Sequence, residues 1–145
     1  MGPGFSHVAC CVDASPSSDA ILTAGRRLVR DDGRLALVHV VSAPLAAMEL
    51  PAPDMRSVVE DAETWLTGRV DELNAASGDL TFEAVLLHGR PGVAVCEWAE
   101  TTDVDVLVAG SHRGLLDRAL LGSFAGYIAY HAPCAVHLVR PAKPH

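Results

Sequence analysis

The sequence predicts an α/β fold: a parallel sheet with helices on both faces. Five apolar runs alternate with four amphipathic stretches, in the order β-α-β-α-β-α-β-α-β. The second and fourth runs are almost unbroken in apolar residues, as expected of parallel strands covered on both sides. Half of the 145 residues are hydrophobic and a fifth are charged, a balance that suits one packed domain over residues 1–145 and opposes disorder.

The first strand is read at His7 to Val12. A helix follows over Pro16 to Arg30, with Ser15 as N-cap, Pro16 at its first position, and an apolar stripe of Ala20, Ile21, Ala24 and Leu28. The second strand is Leu35 to Val41. Residues 42–54 carry three prolines and form either a flap over a site or a plain surface loop. Met55 to Ser77 repeats the helical stripe through Val59, Ala62, Leu66, Val70 and Leu73. Phe82 to His88 is the third strand, and Gly92 to Thr101 is a helix burying Val95, Cys96 and Ala99. Val104 to Ala109 is the fourth strand. Ser123 to His131 closes the helices with Phe124, Tyr127, Ile128 and His131 inward, and Ala135 to Val139 is the last strand.

Composition excludes several functions. A formal charge of −7 opposes nonspecific binding to nucleic acid or to an anionic membrane. No run approaches the roughly 18 to 20 apolar residues of a membrane span. The first residues lack a basic stretch followed by an apolar one, so a cytoplasmic rather than secreted protein is expected. Cys10, Cys11, Cys96 and Cys134 show no metal-ligand spacing and read as reduced, buried thiols. No second histidine or carboxylate stands at ligand spacing from His112, so no structural metal is expected. His39 and His137, within strands, read as packed or hydrogen-bonded core residues, and Trp65 and Trp98 as packing.

Ligands of open parallel sheets sit beyond the carboxyl ends of the strands. Asp13, after the first strand, can accept a bond from an exocyclic amine or stabilise the start of the next helix. After the fourth strand comes Gly110-Ser111-His112-Arg113-Gly114, and then Gly122-Ser123 opens a helix. Glycines let backbone amides approach an anion, Arg113 adds fixed charge, and a helix start favours phosphate. Arg118 either helps or faces solvent, and Ser123 either contacts phosphate or only caps its helix. Among catalytic signatures there is no GxSxG, GxxxxGK[ST], HExxH or GxGxxG, and no base for a water nucleophile stands out. Any hydrolysis should therefore be slow.

These residues resemble the universal stress protein family over residues 7–140. The resemblance rests on Val12-Asp13-x-Ser15-x-x-Ser18, His39-Val40-Val41, Gly89-Arg90-Pro91, the block from Ala109 to Ser123, and His131-Ala132-Pro133-Cys134-Ala135-Val136. It implies a five-stranded sheet of order 3-2-1-4-5, the Rossmann-like arrangement of adenine nucleotide alpha-hydrolase-like proteins. It also implies a homodimer paired through Ala135, Val136, His137, Leu138 and Val139, and ATP or AMP as ligand, with Mg2+ an optional companion. Val12 and Asp13 would then lie at the adenine edge, and Val41 would pair with the base through its backbone. Gly110 would lie under the ribose, with His112, Arg113, Gly114, Gly122, Ser123 and Phe124 around the phosphates. Binding members carry a loop G-x2-G-x9-G-(S/T). Here three residues separate Gly110 from Gly114 and seven separate Gly114 from Gly122, one residue fewer in all. Two rival readings stand beside a nucleotide-sensing stress protein: a ligand-free dimer acting through protein partners, and a slow ATPase. An adenylating enzyme would need glycines after the first strand, and a receiver domain would need clustered acids there; both are missing.

Overall fold

In the computed structural model, residues 3–42, 55–76, 78–111 and 121–140 are described. The elements are β1 (Phe5–Cys11), α1 (Ser17–Leu28), β2 (Val29–Ser42), α2 (Met55–Ala76), β3 (Thr81–Gly89), α3 (Pro91–Glu100), β4 (Val106–Gly110), α4 (Ser123–His131) and β5 (Ala135–Val139). The sheet has five strands in the order β3-β2-β1-β4-β5, and every pairing is parallel. Order and class are those expected from the sequence.

The two faces of the sheet carry separate apolar layers. On one, Val8, Cys10, Leu35, Leu37, Val106 and Val108 meet Ile21 and Leu22 of α1 and Leu66, Val70 and Leu73 of α2. On the other, Ala9, Ala36, Val38, Leu107 and Ala109 meet Val95, Cys96 and Ala99 of α3 and Ile128 of α4. Consecutive residues of β1, β2 and β4 thus enter opposite layers. This is why Leu35–Val38 and Val106–Ala109 are buried without a break, and why their sequence shows no alternation.

Helix α1 departs from the expected pattern. It begins at Ser17 behind an N-cap Pro16, and no side chain caps it. The Ser15 hydroxyl instead meets that of Ser17 at 2.6 Å. Its buried stripe is Ile21, Leu22 and Gly25, while Ala20 faces solvent. Gly25 sets this rotation: a Cβ there would collide with the Cys10 sulfur, so the bare backbone packs directly on β1. The helix stops at Leu28, and β2 starts six residues earlier than the apolar run suggests, at Val29 rather than Leu35 (35 − 29 = 6). The early part pairs Phe5 with Val29, and pairing resumes at His7 with Arg34. β1 advances two residues there (7 − 5) while β2 advances five (34 − 29), so Asp31 and Asp32 bulge into solvent.

β4 starts at Val106 rather than Val104, because Asp105 is occupied in holding two strand starts together. Its Oδ2 accepts bonds from the His7 amide and the Ser6 hydroxyl, both at 2.9 Å, and its own amide donates to the His7 carbonyl at 2.9 Å. Val104 is buried nonetheless. Two histidine assignments are also corrected. His137 on β5 and His131 at the end of α4 are exposed, because β5 is an edge strand and α4 turns that flank outward. His131 stacks on Tyr127 with ring centroids 4.1 Å apart. The four cysteines are free thiols, Cys10 and Cys96 buried and Cys11 and Cys134 half-buried. Burial pushes the Cys10 thiol up to about 12; burial and the neighbouring thiols push Cys11 up as well, so these sulfurs stay protonated and inert.

The bond from the His7 amide, together with that from Ser6, holds the Asp105 carboxyl below the usual carboxylate range. A depressed carboxyl stabilises the fold above its unfolded pKa, and that stabilisation is lost as pH falls through the folded value. Asp105→Asn should therefore cost about 1 kcal/mol at neutral pH, discounted for solvent access. In thermal melts, the gap between variant and native protein should close on acidification below about pH 4.

Candidate functional site

At the carboxyl edge of the sheet the chain leaves a cleft of about 510 Å3. It lies between the turn after β1, the far end of β2, and the starts of α3 and α4. Six of the residues singled out in the sequence line it: Val12, Asp13, Gly110, Gly122, Ser123 and Phe124. The structure thus brings together strand ends lying about a hundred residues apart. His112, Arg113 and Gly114, with Arg118 and the proline-rich stretch 43–54, lie outside the described residues.

The wall at β1 is built by a compact polar turn. β1 stops because the Val12 carbonyl accepts from a side chain, the Nδ1 of His39 at 2.9 Å, which therefore carries the proton. Val12 still donates to the Val38 carbonyl at 2.9 Å. Asp13 Oδ1 accepts from the Ser15 amide at 2.8 Å and from the Ser18 hydroxyl at 3.2 Å, and the Asp13 amide donates to Ser18 Oγ at 2.9 Å. Oδ2 takes no hydrogen bond among the described residues. Partial burial works to raise the Asp13 pKa, but the Ser15 and Ser18 bonds and the nearby His39 outweigh it and hold the carboxyl below the usual range. Asp13 is thus an ionised acceptor with one oxygen fixed in the turn.

β2 runs past its neighbour. Its last partner on β1 is Val38, opposite Cys11, while its pairing with β3 continues to Ser42 opposite Gly89. The Val38 carbonyl faces β1, and backbone groups alternate sides along a strand, so the amide and carbonyl of Val40 face the open edge beyond β1. Val40 and Ser42 line the cleft, and Val41 is buried. His39 also lines it, its ring edge-on to Trp65 with centroids 5.5 Å apart.

Another wall is the start of α4, positioned by a backbone pinch. The amide of buried Ser111 donates to the Val139 carbonyl, and the Gly122 amide donates to the Ser111 carbonyl, both at 2.9 Å. Gly122, with φ −60° and ψ 158°, is itself the N-cap, so Ser123 is the first helical residue and not the cap. The first helical bond is that from the Gly126 amide to the Gly122 carbonyl. The Gly122 amide is therefore occupied, and the amides of Ser123, Phe124 and Ala125 start the helix with no side chain capping them.

Residues to which the sequence assigns no ligand role complete the cleft. Arg90, between β3 and α3, lines it, as do Gly92 and Tyr127. A Cβ on Gly92 would lie 2.6 Å from the Tyr127 ring, so this glycine is what allows α3 and α4 to close together. The sequence signal for Arg90 is its place directly after the end of β3. Gly92→Ala should force Tyr127 to move and destabilise the protein by about 1–3 kcal/mol in denaturant melts. Gly126→Ala, where a Cβ meets open space on α4, should be neutral or mildly stabilising.

Comparison with known proteins places this geometry. The model of the universal stress protein family matches residues 4–140. A universal stress protein of Methanothermobacter thermautotrophicus is 37% identical over 83 residues, covering 57% of this chain and 53% of that protein. The match thus spans about half the length of that relative. Among solved structures, a universal stress protein in complex with cAMP superposes with TM-score 0.64 at 25% identity, covering 96% of this chain and 99% of that one. A family protein from Arabidopsis thaliana with AMP bound superposes with TM-score 0.61 at 19% identity, covering 95% and 93%.

Proposed function

Because the chain belongs to the universal stress protein family, we propose that its carboxyl-edge cleft binds an adenine nucleotide, ATP or AMP, in a sensing or regulatory role. One observation carries this: an ionised acceptor, Asp13, and the uncapped start of α4 line one and the same cleft. Its volume of about 510 Å3 lies within the roughly 300–1,000 Å3 of small-molecule sites. Asp13 Oδ2 accepts the exocyclic amine of adenine while Oδ1 keeps the turn. The open backbone edge at Val40, rather than Val41, offers the complementary donor and acceptor. The amides of Ser123, Phe124 and Ala125 receive phosphate, where the helix dipole adds roughly 0.3–1 kcal/mol. The relatives seen with cAMP and AMP support the ligand class.

A buried polar edge discriminates strongly, since a mismatched base leaves its groups unpaired. ATP should bind at least ~10-fold tighter than GTP, about 1.4 kcal/mol. Asp13→Ala should remove most of that preference in calorimetry. Native protein whose melting point fails to move with millimolar ATP, ADP or AMP would overturn the reading in favour of a ligand-free family member.

We further propose a homodimer through β5. This strand is an edge of the sheet, and Val136, Leu138 and Val139 are only half-buried on it. Antiparallel pairing of two such strands across a two-fold axis satisfies their free backbone groups. Val136→Lys and Leu138→Lys should lower the mass seen by light scattering; a native protein that runs as a monomer counts against the dimer.

A further inference from the structure

We propose that Arg90 reads the phosphate charge of the ligand, an inference that rests on the nucleotide reading above. Among the described residues lining the cleft, Arg90 is the one lysine or arginine. It is exposed, and no described residue pairs with it. Other arginines are engaged: Arg34 with Glu83, Arg69 with Asp19 and Glu72, and Arg26 over the Phe82 ring. An unpaired guanidinium in a cleft that also holds an ionised Asp13, on a chain of net charge −7, suits an anionic ligand group.

The backbone fixes the point from which this side chain extends. Gly89 takes φ +117°, a conformation that glycine adopts without strain, and so turns the chain sharply at the end of β3. Pro91 then fixes the first position of α3, and the Ala94 amide bonds the Arg90 carbonyl at 2.8 Å. Arg90 is thereby anchored at the cleft rim while its side chain stays free to swing.

Position relative to α4 decides which part of the ligand it meets. Gly92, two residues after Arg90, is in contact with Tyr127, and Ser123 precedes Tyr127 by four residues, about one helical turn. Arg90 and Ser123 therefore stand on neighbouring helix starts, at the end of the cleft where α4 offers its free amides. Asp13 belongs to the wall at the end of β1. A guanidinium forks onto two phosphate oxygens, which an ammonium cannot do in the same plane.

The test is calorimetry of native, Arg90→Gln and Arg90→Lys protein with adenosine, AMP and ATP. Arg90→Gln should weaken AMP and ATP by about tenfold or more, leave adenosine within about twofold, and leave the unliganded melting point unchanged. Arg90→Lys should recover part of the loss. Unchanged affinity of Arg90→Gln for AMP and ATP overturns the role of Arg90 while leaving the nucleotide site intact. An equal loss for adenosine overturns it too, by showing a structural effect. Native protein that binds none of the three overturns the site itself, and the role of Arg90 with it.

Discussion

The cleft depends on the pinch at Ser111. Its amide is held by the Val139 carbonyl at the end of β5, and its carbonyl holds the Gly122 amide at the start of α4. Ser111 is 4% exposed, so both bonds are made away from water, where breaking either would leave a buried group unpaired. Two small backbone bonds thereby fasten three elements at one point. They bring the start of α4 to the carboxyl edge of β4, whatever path the chain takes between. Because the pinch uses the Gly122 amide, the groups left to face a ligand are those one to three residues further on. The glycine at 122 thus serves the closing of the neck, and its φ of −60° shows no demand for a left-handed backbone.

The sheet was legible because burial on both faces leaves a plain mark. Leu35–Val38 and Val106–Ala109 must be apolar throughout, since alternate residues enter two different layers. Helix boundaries were less so. Ser15-Pro16 reads as a cap and first helical residue, but the serines at 15, 17 and 18 are drawn into hydrogen bonds with one another and with Asp13, and the helix starts at Ser17. Of the stripe expected on α1, Ile21, Ala24 and Leu28 pack on the sheet and Ala20 alone faces solvent, for a tertiary reason: Gly25 packs against Cys10, and no periodicity of apolar residues counts a glycine as inward.

The site was half legible. Asp13, Gly110, Gly122, Ser123 and Phe124 could be named because strand ends and helix starts have sequence signatures. Arg90 and Tyr127 stand out in the sequence only as part of a shared motif and as an inward helix residue, because their place in the cleft follows from the approach of α3 to α4 at Gly92. That approach is a contact between segments some thirty-five residues apart (127 − 92 = 35), which local pattern does not encode. The open backbone edge at Val40, rather than at Val41, has a similar origin. It depends on where β1 ends, which is set by the His39 ring taking the Val12 carbonyl.

The cleft is lined by groups of opposite charge, and this bears on how a ligand can lie in it. Asp13 is ionised, with one oxygen committed to Ser15 and Ser18, and it would repel a phosphate brought beside it. Arg90 and the open amides of α4 stand at the neighbouring starts of α3 and α4, where a phosphate is attracted and an amine is not. Reversing a nucleotide end for end would place its anion against the carboxylate and leave the guanidinium without a partner. The arrangement is also frugal with structure: the bonds that start α1 orient Asp13, and the bonds that start α4 expose its amides. Stability and recognition therefore share the same few residues. A ligand that bridges the two helix starts would brace the turn after β1 against the pinch at Ser111, joining in one contact what the chain connects only through the sheet.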